Sequence, residues 1–115
     1  MNSRRIEQVN ELIKREISQI LLREVDFPEN VLITVTRAES APNLFEAKVW
    51  VSVMPEENLE KIVAHLNRQV YEIQQKINKR LKMRPVPRIK FLKEKQTVQA
   101  GRIEELLEKL KKEEK

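Results

Sequence analysis

The 115 residues carry 23 Lys or Arg against 18 Asp or Glu, a net charge of +5, with one Gly and no Cys. That length suits one domain around a modest core, and the lack of Cys removes disulfides, thiolate catalysis and Cys-based zinc sites. No apolar run approaches the roughly 18 residues that span a bilayer, and MNSRRIE lacks the apolar core of a secretory signal, so the expected location is the cytoplasm.

The first element is a helix. Ile6, Val9, Ile13, Ile17, Ile20 and Leu21 recur at three- and four-residue steps, with Glu7, Glu11, Lys14, Arg15 and Arg23 between them. That is one apolar stripe on an amphipathic helix. Asn2 or Ser3 supplies the cap. Asp26-Phe27-Pro28-Glu29-Asn30 ends it, because the residue before a proline is pushed out of the α region.

Two strands follow. Val31, Ile33 and Val35 alternate with Leu32, Thr34 and Thr36; then Phe45, Ala47, Val49, Val51 and Val53 alternate with Glu46, Lys48, Trp50 and Ser52. β-Branched residues at period two read as half-buried strands. Ala41-Pro42-Asn43 is a turn signal between them, so the pair is an expected hairpin with one face on the core. Pro55 closes the second strand.

A single long helix is expected from about Glu56 to Lys82, with Leu59, Ile62, Val63, Leu66, Val70, Ile73, Ile77 and Leu81 on its stripe. Pro85 and Pro87 then bar any helix. Pro85-Val86-Pro87 forms a stiff lead into a third strand, in which Ile89 and Phe91 alternate with Arg88 and Lys90. From about Gln99 the pattern turns helical again, with Ile103, Leu106, Leu107 and Leu110 before a charged tail. The expected organisation is an α+β domain over residues 1–96 and a C-terminal helix and tail over 97–115.

The charge is unevenly spread. Residues 56–95 carry a net +6, residues 1–55 carry −1, and residues 96–115 are neutral. Lys76 to Lys95 alone hold nine cations. Glu56, Glu57 and Glu60 at the start of the long helix and Lys76, Lys79, Arg80 and Lys82 at its end suit the helix dipole, a structural reason for part of the run. No dipole accounts for Arg84, Arg88, Lys90, Lys93 and Lys95. A localised basic surface of this kind points to nucleic acid, an anionic membrane or an acidic protein. A membrane-surface helix needs its apolar stripe for lipid, and here the core needs it. Richness in Lys and Glu with little Gly is the bias of heat-adapted proteins, and predicts a melting midpoint above the mesophile range.

Catalytic patterns are poor. His65 is the one histidine and lies beside an apolar stripe, where such residues pack or face solvent. One Gly allows no P-loop, no dinucleotide fingerprint and no nucleophile elbow. A metal-dependent nuclease needs clustered acids, and the basic run contains only Glu94. The chain is expected to bind rather than catalyse, with no cofactor or metal. Few aromatics and many cations favour RNA read through its phosphates. Trp50, on the outer hairpin face, either packs under a helix or the C-terminal tail or stacks a base.

The order α-β-β-α-β resembles a K-homology domain of the second topological type. More narrowly, RIEQVNELIKREISQILLREVDFP, ITVTRAESAPNLFEAKVWVSV, RPVPRIKF and RIEELL, in that order, resemble the ribosome-binding factor A family of bacterial small-subunit maturation factors. The hairpin carries Ser40, Asn43-Leu44 and Ala47-Lys48-Val49-Trp50-Val51; Arg84, Pro87, Ile89 and Phe91 form the second marker. The resemblance covers about residues 3–107. It implies a cytoplasmic, non-enzymatic monomer that binds the small ribosomal subunit and 16S rRNA, assists processing of its 5′ end, and is linked to growth in the cold. The family lacks the nucleotide-gripping glycine loop of K-homology domains, as does this chain. Its Ala-x-Gly kink corresponds to Gln69-Val70-Tyr71, and its Asp-x-Ser after the third strand to Glu94-Lys95-Gln96. The expected RNA contacts are Lys76, Lys79, Arg80, Lys82, Arg84, Arg88 and Lys90, with Lys48 added from the hairpin motif. The competing readings are a generic K-homology-like RNA binder without small-subunit specificity and a protein-interaction module.

Overall fold

The computed structural model describes residues 3–94. The helix expected from Gln99, the division at residue 96 and the capping role of Asn2 lie outside these residues.

Helix α1 spans Ser3–Glu24 and buries Val9, Ile13, Ile17, Ile20 and Leu21, the stripe its spacing predicts. It stops short of Pro28. Strands β1 (Leu32–Ser40) and β2 (Glu46–Met54) pair antiparallel, and β3 (Arg88–Lys93) lies parallel to β2, giving a mixed sheet in the order β1-β2-β3. Ala47, Val49, Val51 and Val53 of β2 and Ile89 and Phe91 of β3 point into the core. The helices cover that face: α1 packs on β1, and the second helical region on β2 and β3.

Three local features differ from the sequence expectation. Phe45 is 54% exposed and lies outside β2, while Leu44 packs against the core in its place. The turn explains this. Leu44 adopts φ 61, its N–H bonds the Ala41 carbonyl at 2.8 Å, and the Asn43 side chain accepts from the Phe45 N–H at 3.0 Å. The chain therefore turns through Phe45 before the ladder begins.

The second difference is a β-bulge. The pairing of β1 with β2 shifts between Val35 and Arg37, so Thr36 is an extra residue. Beyond it the inward position passes from odd to even numbers: Val35 is buried, then Ala38. Arg37, which strict alternation would aim at the core, instead lies opposite Trp50 on the outer face.

The third concerns the long helix, which is three pieces. A 3-10 turn (Glu56–Asn58) leads into α2 (Leu59–Arg68), Gln69 breaks the helix at φ −99° and ψ 10°, and α3 runs Val70–Arg80. Leu81 is extended, so Lys82 falls beyond the helix. The break needs no glycine because Gln69 keeps a negative φ; its N–H is shared between the His65 and Leu66 carbonyls, both at 3.1 Å. The break thus falls at Gln69, the first residue of Gln69-Val70-Tyr71. The break lets α2 follow β2 and β3 while α3 turns to meet α1.

Two carboxamides close the outer edge of β3. Arg88 and Glu94 donate their N–H groups to β2, at Phe45 O and Val51 O, each 2.9 Å away. Ile89 and Phe91 point the other way. The Asn67 side chain accepts from Phe91 N–H at 3.1 Å and donates to Phe91 O at 3.0 Å. Gln74 accepts from Ile89 N–H at 2.8 Å and donates to Pro87 O at 3.0 Å. Side chains from α2 and α3 thus stand in for a neighbouring strand, and an edge open to another chain is covered.

Candidate nucleic-acid interface

The eight expected contact residues fall into three groups. Lys76 and Arg80, one helical turn apart, face α1. Arg80 pairs with Glu16 at 3.2 Å and with Glu24 at 3.0 Å, and donates to Gln19 at 3.3 Å. Lys76 reaches Glu24 at 3.7 Å. Their charge is shared with α1, and their local work is to hold α3 against it.

The second group surrounds the end of α3. Lys79 and Lys82 are exposed and, among the described residues, form no ion pair. Arg84 donates to the Leu81 carbonyl at 3.0 Å and to the Met83 carbonyl at 2.7 Å, which ties the loop down after the helix. A shallow depression lined by Gln74, Asn78, Arg84, Pro85, Val86 and Arg88 brings the two arginines together. Pro85-Val86-Pro87 is therefore the piece that sets Arg84 beside Arg88, and burial of Pro87 anchors it.

The third group stands on the outer sheet face. Arg88 and Lys90 alternate with buried Ile89 and Phe91, and both are exposed. Lys48 of β2 is the register partner of Lys90. The two lysines stand side by side on neighbouring strands, roughly 4.8 Å apart along the hydrogen-bonding direction, and neither has an ion-pair partner among the described residues. Arg88 belongs to both the depression and the sheet face. No helix is long and apolar enough to cross a membrane among the described residues.

Sequence reasoning did not single out Arg37. Its guanidinium carbon lies 3.9 Å from the centre of the Trp50 ring. Glu39 holds it at 3.0 Å and Glu94 at 3.3 Å, and the Thr36 hydroxyl donates to Glu94 at 3.2 Å. The bulge that creates this cluster leaves no sequence signal beyond an interrupted alternation. His65 packs edge-on against Phe27, with ring centres 6.1 Å apart. Among the described residues no three His, Asp or Glu gather as a metal site.

Residues 5–107 match the family model described as ribosome-binding factor A. The chain belongs to the ribosome-binding factor A family. It is 38% identical over 115 residues to the ribosome-binding factor A of Halothermothrix orenii, covering 99% of this chain and 94% of that protein. That of Thermodesulfovibrio yellowstonii is 31% identical over 95% of this chain and 92% of its own length. The crystal structure of ribosome-binding factor A from Thermus thermophilus superposes with a TM-score of 0.68 at 23% identity, covering 76% of this chain and 93% of the other. A homology model of the Thermus protein fitted into a cryo-electron-microscopy map of its 30S complex gives a TM-score of 0.61 at 23% identity, covering 72% and 88%. At these identities the likeness is one of fold.

Proposed function

We propose that this protein binds the small ribosomal subunit during its maturation, holds 16S rRNA through a basic surface and assists processing of the 5′ end. Membership of the ribosome-binding factor A family carries the reading, and the Thermus homologue fitted into a 30S complex supports it. Arg88 is the centre of the surface. Arg84 joins it across the depression, Lys90 and Lys48 join it across the sheet, and Lys79 and Lys82 flank the end of α3. Lys76 and Arg80 contribute less, because each shares its charge with a carboxylate of α1. Cations of this kind hold phosphates and release counterions, so binding weakens steeply with salt. The protein acts by binding, without catalysis or cofactor, as a cytoplasmic monomer. Residues 1–96 form the RNA-binding domain.

Cosedimentation with small subunits, large subunits and naked 16S rRNA tests this. Retention on small subunits at moderate salt, above that on the other two, is expected. Equal, salt-sensitive retention on all three would reduce the protein to a generic basic RNA binder. Retention that survives digestion of the RNA would favour a protein partner.

A further inference from the structure

On the outer sheet face Arg37, Trp50 and Leu92 form one cross-strand row, and Glu39, Lys48 and Lys90 the next. Rows on one face lie roughly 6.6–6.8 Å apart. Two features of these rows ask for a partner outside the chain. Lys48 and Lys90 stand side by side, although like charges directly opposite destabilise a sheet. Glu39, the register partner of Lys48, is taken by Arg37 instead. The other feature is Arg37 itself. The Trp50 ring, Glu39 and Glu94 fix its guanidinium, yet the side chain remains 47% exposed. Ordering a long side chain costs rotamer entropy, and a solvated surface arginine has no need of three anchors.

We propose that the outer sheet face binds a single-stranded segment of RNA, with a phosphate between Lys48 and Lys90 and a base stacked on the Arg37 guanidinium above Trp50. The inference rests on the RNA-binding reading above and adds the site and the form of the RNA. The paired lysines select an anion. Two carboxylates already occupy donors of the guanidinium, so its open plane suits a flat π face better than a third acidic group. That excludes an acidic peptide as the better occupant. Bases present such a face only where they are unstacked, and a guanidinium plane is an established platform for them. Trp50 is then the support of the stack rather than its contact surface.

Trp50 is the one tryptophan in the chain, so its emission reports on this row alone. The full-length protein is titrated with a short oligouridylate and with an abasic oligomer of the same length, and binding is measured separately by anisotropy of labelled oligomers. Saturable change in Trp50 emission with oligouridylate, and tighter binding of oligouridylate than of the abasic oligomer, are expected. Arg37→Lys keeps the charge but loses the plane; it should weaken oligouridylate binding roughly 5- to 100-fold and narrow the gap between the two probes. Lys48→Gln with Lys90→Gln should weaken both probes alike. Silent Trp50 emission at saturation, or equal affinity for the two probes, would overturn the inference. Cosedimentation separates the failures. Small-subunit binding with a silent Trp50 removes this site alone, whereas a responsive Trp50 without small-subunit binding removes the ribosomal reading alone.

Discussion

Replacing Asn67 or Gln74 by Ala removes the side chain that closes the edge of β3. Each carboxamide makes two hydrogen bonds to that edge, one as donor and one as acceptor, at 2.8–3.1 Å. A hydrogen bond contributes about 0.5–1.5 kcal/mol net, so each substitution should cost about 1–3 kcal/mol. Both sites are partly open to water, which can re-satisfy the freed groups; about 1–2 kcal/mol is therefore the expected range. Against a typical domain stability of about 5–15 kcal/mol this is readily measured. At about 4–8 °C per kcal/mol for a small domain, the melting midpoint should fall by roughly 4–16 °C. Urea unfolding followed by Trp50 emission gives the free energy, and amide hydrogen exchange gives the location. Ile89 and Phe91 should lose protection first, Ile89 in the Gln74 variant and Phe91 in the Asn67 variant. The double variant should also self-associate at high concentration, since its strand edge is open. Unchanged midpoints, with Ile89 and Phe91 still protected, would refute the edge-closure argument.

Other predictions follow from the charge map and the bulge. Lys90→Glu should pair with Lys48 and raise stability by about 0.2–1 kcal/mol while weakening RNA binding; a parallel fall in both quantities would contradict the ligand role of the pair. Arg80→Ala should cost on the order of 1 kcal/mol, less at high salt, because its partners are only partly buried; an effect on RNA binding larger than that on unfolding would move Arg80 into the contact surface. Deleting Thr36 should remove the bulge yet leave Arg37 opposite Trp50 and Ala38 facing the core, so cooperative unfolding should persist, whereas deleting Ala38 should turn Glu39 toward the core and abolish it. Equal stability of the two deletion variants in urea would argue against the bulge. Ile17→Ala, at a fully buried position, should cost about 2–5 kcal/mol in the same assay.

Most of the fold is legible in the sequence because its elements are amphipathic. The α1 stripe, the inward face of β2 and the Ile89–Phe91 alternation all repeat at the period of their own element, and burial follows the pattern. What the sequence hides is non-periodic. The break at Gln69 leaves the apolar spacing from Leu66 to Val70 and Ile73 helical, so the stripe reads straight through it. The bulge at Thr36 is fixed by pairing with β2, a long-range choice with no local residue signature. Phe45 looks like a strand residue but loses its place to the left-handed turn at Leu44. The candidate site shows the same division. Charge density marks the run from Lys76 to Lys90, but only packing shows Lys76 and Arg80 drawn onto α1, and only strand register sets Lys48 beside Lys90. Asn67 and Gln74, seven residues apart on the helices, carry no sign that they bond a backbone.

The most direct measurement is cosedimentation with small subunits across a salt series, comparing the wild type with a variant carrying Lys48→Gln, Arg88→Gln and Lys90→Gln, after circular dichroism has shown both folded. Binding centred on Arg88 predicts weaker retention of the variant and a shallower salt dependence, by up to about three counterions' worth of slope. A folded variant that binds small subunits with wild-type affinity and wild-type salt dependence would contradict it.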